Sequence, residues 1–340
     1  MTPDCKSGTL ETTGVRLPLF PPCYIGGVAE LADAPDLGSG ATVRVGSTPI
    51  TPTIYFLYIK KSNESSTYFY LKEGESMSKY FVCSDIHGYY TEWMRALKDA
   101  GYDKKNKDHI IIICGDILDR GKEPDKIIKF ILSLPKRRCL LVRGNHEDLF
   151  EEMINRGCPY GHDFSNGTVD TMKRLTNLEV VTFVDYPEAA KTKLEEIGLY
   201  KVFNRMKDYI EIGDKIFVHG WIPIEHVWEP EGIIPKPLED WRTPDQREWK
   251  SARWLNGMEM ASKGCTLEGK TIFCGHWHCS YGNVRKKYPN RTKVEYDKLC
   301  WQEVEFVGKD IFEPFVDEGI VALDACTAHT GFVNVYTFEE

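Results

Sequence analysis

From residue 77 onward, short apolar runs alternate with stretches of helical period. Residues 80–84 predict a brief buried strand. Residues 91–100 predict a helix with Trp93, Met94 and Leu97 on its apolar side and Gly101 as its stop. The pattern then repeats: a strand over 110–114, a helix over 125–134 closed by Pro135, a strand over 139–142, and a helix beginning over 147–155. Strands alternating with helices imply βαβ units and a parallel sheet, hence an α/β fold. Residues 160–208 read as a mostly helical insertion or cap, with no chemistry in their pattern. Strand signals return at 215–218, 271–274, 320–323 and 332–337.

Residues 1–76 differ from all of this. Pro18, Pro21 and Pro22 break the first apolar patch, and residues 26–53 are rich in Gly, Ala, Ser, Thr and Pro without a period of strand or helix. That stretch resembles the peptide obtained when a transfer-RNA gene is translated. The expectation is a natural start at Met77, with 1–76 a non-native or disordered extension, and a catalytic domain over 77–340.

Composition narrows the class. Of 340 residues, 42% are apolar and 28% charged, which allows a sizeable core and excludes a disordered or fibrous chain. A net charge of −8 makes a poor general binder of nucleic acid or anionic membrane. The 11 cysteines form no CxxC pair and several sit in apolar runs. They read as reduced thiols of a cytoplasmic protein rather than a disulfide frame. Near the N-terminus the longest apolar run is residues 54–59, far short of the ~20 residues that span a bilayer.

Chemistry concentrates where the early strands end. The first strand runs into Asp85-Ile86-His87-Gly88, the second into Gly115-Asp116-Ile117-Leu118-Asp119-Arg120-Gly121, the third into Arg143-Gly144-Asn145-His146-Glu147. The steps from Asp85 to Asp116 and from Asp116 to Asn145 are 31 and 29 residues, each one βαβ unit. The clusters therefore fall together at the carboxyl ends of neighbouring parallel strands, where such sheets bind ligands. Carboxylate, amide and imidazole groups suit Mn²⁺, Fe or Zn²⁺. His219, and His276 with His278, also follow apolar strands.

Together DIHG, GDILDRG, RGNHE, VHG and GHWH resemble the calcineurin-like metallophosphoesterases over residues 80–280. Arg120 and the RGNHE run resemble the serine/threonine phosphoprotein phosphatase branch. The resemblance implies a four-layer α/β/β/α sandwich and two divalent metal ions, Mn²⁺ foremost. Asp85, His87 and Asp116 would hold the first, and Asp116, Asn145, His219 and His276 the second, with Asp116 bridging. It also implies a metal-activated hydroxide attacking phosphorus in line. His146 would be the general acid, oriented by Asp119. Arg120 would bind phosphate oxygens. A second phosphate-binding Arg is expected; Arg253 is the choice, with Arg242 and Arg247 as competitors. His278 is expected as a further ligand of the first metal, provided strand geometry continues through Trp277.

The expected activity is hydrolysis of phosphoserine or phosphothreonine in a phosphoprotein or phosphopeptide. The alternative is hydrolysis of a dinucleoside polyphosphate such as diadenosine tetraphosphate, since those enzymes share the motifs. A non-catalytic metal-binding module is a further alternative, against which the acid dyad counts. No nucleic-acid or membrane partner is expected, and the oligomeric state is left open. His109, His162, His226 and His329 read as ordinary surface or core residues. Trp241, Trp249 and Trp254 read as packing, Glu147 as a loop support or helix cap, and Arg285-Lys286-Lys287 as a solvated turn.

Overall fold

The structure is a computed structural model that describes residues 77–230, 232–290 and 309–340, together with the backbone of four strands nearer the N-terminus. Those strands, β1 (Thr9–Glu11), β2 (Thr42–Ser47), β3 (Ile54–Lys61) and β4 (Glu64–Lys72), pair antiparallel in that order within a unit of their own, Met1–Met77. The expectation of a non-native or disordered extension falls on residues that, apart from this backbone, lie outside the described ones.

The second unit is Ser78–Glu340. It opens with β5 (Lys79–Cys83), α1 (Tyr90–Asp99), β6 (His109–Cys114), α2 (Pro124–Leu132), β7 (Cys139–Val142) and α3 (Asn145–Arg156), the alternation expected from the sequence. The insertion is helical, as expected: α4 (Gly161–Ser165), α5 (Thr168–Thr176), α6 (Val180–Asp185), α7 (Pro187–Glu196) and α8 (Leu199–Phe203). Next come β8 (Met206–Lys207), β9 (Ile210–Ile212), β10 (Lys215–Phe217), β11 (Ile224–Glu229), β12 (Gly232–Pro237), α9 (Gln246–Ala252), α10 (Gly257–Ser262), β13 (Thr271–Cys274) and α11 (Ser280–Lys287). The chain closes with β14 (Phe315–Asp317), β15 (Ile320–Ala322), α12 (Thr327–Thr330) and β16 (Tyr336–Glu339).

Two five-stranded sheets result, in the orders β16-β5-β6-β7-β8 and β14-β15-β13-β10-β9. In the first, β5 to β8 run parallel and β16 pairs antiparallel with β5. In the second, β15, β13 and β10 run parallel between two antiparallel edges. Side chains of successive residues leave a strand on opposite faces. Phe81 and Cys83 of β5, and Ile111 and Ile113 of β6, pack with Trp93, Ile127, Phe150 and Met172 of the helices. Between them, Val82, Ile112 and Cys114 point the other way, onto Phe217, Phe273 and Val321 of the second sheet. On that sheet's far face, Ile216, Ile272, Cys274 and Ile320 meet Trp249, Ala252 and Met258 of α9 and α10. The layers are therefore α/β/β/α. Burial on both faces explains why these strands read as continuous apolar runs rather than as alternation.

The last strand begins later than its apolar run suggests. Val333 joins the helix-side core, and pairing with β5 starts only at Tyr336 against Val82. The β11–β12 hairpin, in which exposed Glu225 stands opposite exposed Lys236, carries no clear period and is not among the strands expected from the sequence. The cysteines among the described residues are free thiols, and six of the eight are buried. No helix among the described residues is long and apolar enough to cross a membrane.

Candidate active site

The carboxyl ends of β5, β6, β10 and β13, and the start of α3 just after β7, meet at one point between the sheets. Asp116 is its centre. The His146 backbone N–H donates to Asp116 Oδ1 at 3.0 Å, which leaves Oδ2 facing inward. Around that oxygen stand His219 Nε2 at 3.4 Å, His87 Nε2 at 3.6 Å and His146 Nε2 at 4.0 Å. Asn145 Oδ1 lies 2.7 Å from His219 Nε2. Asp85 Oδ1 lies 3.8 Å from His87 Nε2, and its Oδ2 accepts from Ser84 Oγ at 2.5 Å and the His276 N–H at 2.9 Å. Among the described residues two groups satisfy the spacing of metal ligands, His87 with Asp116 and His146, and Asp116 with His219 and His276. They share Asp116.

Backbone strain concentrates here. Asp85, His87, Asp116, Asp119, Arg120 and His276 all have positive φ, between 47° and 70°. Each costs of order 1 kcal/mol and persists only where surrounding contacts hold it. Glu147 supplies much of that hold. Its buried carboxylate accepts from the N–H groups of Gly144 at 2.9 Å, Asp116 at 3.0 Å and Ile117 at 3.0 Å. It thus ties the β6 loop to the start of α3, serving as both loop support and cap. Gly144 permits the approach: a Cβ there would stand 2.1 Å from Asp116 Oδ1.

The donor set fits divalent cations. His87 and His219 each direct Nδ1 to a backbone carbonyl, Leu118 O and Cys114 O, both at 2.8 Å. That bond places a proton on Nδ1 and turns Nε2 toward Asp116, as metal-bound imidazoles are held. Burial and Arg120 keep His87 well below the usual imidazole range, and burial with the nearby His219 takes His276 down to about 3. Neutral imidazoles are what a metal needs. The carboxylates are crowded in the opposite sense: burial and Asp324 push Asp85 up to about 7, and burial and Asp116 push Glu147 up to about 7. Asp116 runs the other way: burial raises it, but His219 and His146 outweigh that and hold its carboxyl well below the usual range, and Asp116 in turn lifts His219 to about 10 against its burial. Divalent ions here would supply a lowered-pKa water nucleophile and positive charge for the phosphate oxygens.

Beside this centre lie His146 and Asp119, the pair expected to act as an acid dyad. His146 Nδ1 donates to Asp119 Oδ2 at 2.8 Å. Burial opposes a charge on His146, but Asp116 and Asp119 outweigh it and raise its pKa. A buried carboxylate behind an imidazole fixes the ring and favours its protonated form, as proton donation to a departing oxygen requires. The Arg120 guanidinium reaches over both rings, with Nη1 2.9 Å from His87 Nε2 and Nη2 3.3 Å from His146 Nε2. Its planar fork suits phosphate oxygens.

Arg120 also lines a cleft of about 310 Å³ with Trp254, His276, Trp277, His278, Ser280 and Tyr281. The Trp254 ring stands edge-on to His276 with centroids 5.6 Å apart, and Trp277 to Tyr281 at 5.6 Å. Trp241 and Trp249 are core residues as expected, but Trp254 is 51% exposed and forms a cleft wall instead. The capping turn after α9 aims it outward.

Two expected residues have other surroundings. Arg253 is buried, with Nη1 on Asp148 at 2.6 Å and Nη2 on Asp208, so its guanidinium serves an internal ion pair rather than the cleft. Arg242 pairs with Glu211 and Arg247 with Asp245. For His278, β13 ends at Cys274 and His276 takes φ 66°, so strand geometry does not continue through Trp277. His278 Nε2 lies 3.8 Å from Asp324 Oδ2, at the end of β15, and the ring lines the cleft. Asp324 and Thr168, whose hydroxyl donates to Asp119, were not singled out in the sequence because neither sits in a motif. Both reach the site only through tertiary packing.

Comparison with known proteins finds the following likenesses. The asymmetrical bis(5'-nucleosyl)-tetraphosphatase PrpE of Halalkalibacterium halodurans is 27% identical over 70% of this chain and 96% of its own. A symmetrical bis(5'-nucleosyl)-tetraphosphatase of Buchnera aphidicola is 42% identical over 71 residues, 21% of this chain; of this relative's length the chain spans only about a quarter, 24%. Among solved structures, the cold-active protein-tyrosine phosphatase of a psychrophilic Shewanella aligns over 87% of this chain and 93% of its own, at 15% identity and a TM-score of 0.37. The family model for calcineurin-like phosphoesterases matches residues 78–280, more than half of the sequence and every strand-end cluster described above. The chain belongs to the calcineurin-like phosphoesterase family.

Proposed function

We propose that this protein hydrolyses dinucleoside polyphosphates, diadenosine tetraphosphate being the test case, with two divalent ions, Mn²⁺ foremost, at the Asp116 cluster. Asp85, His87 and Asp116 would hold one ion and Asp116, Asn145, His219 and His276 the other. The observation that carries this reading is the aromatic cleft beside the metal ligands. Trp254 and Trp277 offer ring faces for a nucleobase, and stacking of a base on an aromatic side chain is worth about 1–3 kcal/mol. A base stacked there leaves its polyphosphate beside Arg120 and the Asp116 cluster. The bis(5'-nucleosyl)-tetraphosphatase names of the relatives support the same reading. In it, Arg120 binds the phosphate oxygens and His146, oriented by Asp119, protonates the departing phosphate.

A second reading, a phosphoserine or phosphothreonine phosphatase acting on a phosphoprotein, is favoured by one observation, the His146–Asp119 dyad. An alkoxide leaving group needs a proton donor more than a polyphosphate does. The test is a side-by-side assay with Mn²⁺ on diadenosine tetraphosphate, a phosphopeptide and p-nitrophenyl phosphate. The proposal expects the highest kcat/KM on diadenosine tetraphosphate. Trp254→Ala should raise KM for that substrate about tenfold, the equivalent of about 1.4 kcal/mol, while sparing p-nitrophenyl phosphate. Efficient phosphopeptide turnover with no cleavage of the dinucleotide would establish the second reading instead.

A further inference from the structure

We infer that Thr168, the first residue of α5 in the helical insertion, is a positioning residue for the acid dyad. Its hydroxyl donates to Asp119 Oδ2 at 2.7 Å, the same oxygen that accepts from His146 Nδ1 at 2.8 Å. Thr168 and Asp119 are both fully buried. The other carboxylate oxygen, Asp119 Oδ1, is buried and has no hydrogen-bond partner among the described residues. Among the described residues Thr168 and His146 are thus the donors that hold the carboxylate. The neighbouring backbone is fitted to the same place. Gly167 takes φ 83° and lies so close that a Cβ would stand 2.7 Å from the Arg120 backbone N, while Asp119 and Arg120 themselves take φ 70° and 65°. The insertion therefore has a chemical task besides covering the sheet. It presses one loop and one hydroxyl against the back of the dyad, and through Asp119 sets the direction of the His146 ring.

The inference rests on His146 acting as the proton donor, so its test includes a control for that role. Turnover is compared on phenyl phosphate, whose phenolate leaves poorly and needs a proton, and on p-nitrophenyl phosphate, whose phenolate leaves unaided. Without its hydroxyl, Thr168→Val should lose about tenfold in kcat on phenyl phosphate, with KM nearly unchanged, and little on p-nitrophenyl phosphate. Thr168→Ser, which keeps the hydroxyl, should restore most of the loss. Equal losses on the two substrates, or none, in a Thr168→Val protein that melts like the parent would overturn the positioning role. If that variant fails to fold, Thr168→Ser and Thr168→Ala decide, with equal behaviour of the two counting against it. His146→Asn run in parallel separates the two ideas: should it too lose equally on both substrates, the proton-donor reading itself is at fault.

Discussion

The carboxylate of Glu147 accepts the Asp116 backbone N–H at 3.0 Å, so an acid at the start of α3 holds the loop that follows the neighbouring strand β6. The residue at the centre of the cluster is therefore positioned by a side chain from the next strand-end cluster. Truncation should be severe. Glu147→Ala strands the buried N–H groups of Gly144, Asp116 and Ile117, and should cost on the order of 3 kcal/mol in urea unfolding. Glu147→Gln, which keeps one acceptor oxygen, should cost less. Equal stability of parent and Ala variant would show that the loop is held by other contacts.

Removal of metal should abolish activity, and Mn²⁺ should restore it. Elemental analysis of the reconstituted protein should give about two ions per chain. Asp116→Asn should reduce that stoichiometry and nearly all turnover together, because Asp116 lies in both ligand groups. Full activity in a verified metal-free sample would refute the two-metal reading.

The dyad makes its own demand. His146→Asn should cut turnover on an alkyl phosphate by about 10²–10⁴-fold, the usual worth of general acid catalysis, and much less on p-nitrophenyl phosphate. The comparison needs only steady-state kinetics with both substrates at saturating Mn²⁺.

His278 lines the cleft and faces Asp324. On the expectation that His278 is a ligand of the first metal, its replacement by Ala should raise the Mn²⁺ concentration needed for half occupancy, read by titration calorimetry, with saturated turnover less affected. An unchanged metal requirement with damaged turnover would place it on the substrate side.

Away from the site, hydrogen bonds from Arg242 and Lys270 take Glu211 on β9 down to about 2. A carboxylate lowered in the folded state stabilises it above the unfolded value, and the contribution fades as pH falls through the folded one. Arg242 is 43% exposed, so solvent screening limits the contribution to about 1 kcal/mol. Glu211→Gln should show that deficit at pH 7, shrinking from about pH 4.5 toward pH 2. A deficit independent of pH would assign it to packing.

The sequence by itself determined the scaffold and the position of its chemistry. Two-sided burial makes β6 a run of four isoleucines, and a βαβ unit has a nearly fixed length, so Asp85, Asp116 and Asn145 had to emerge at adjacent strand ends. Tertiary structure decided what no local pattern encodes. Thr168 stands 49 residues from Asp119 in sequence, within a helix whose own pattern shows only amphipathic packing. Trp254 was indistinguishable from the core Trp249 until the end of α9 turned it into the cleft. Arg253 was the choice over Arg242 and Arg247 for a second phosphate contact, but Asp148 and Asp208 reach its guanidinium first. Periodicity reports which face of an element is buried. It does not report which distant polar group arrives to meet a side chain, because that depends on how separately formed elements dock.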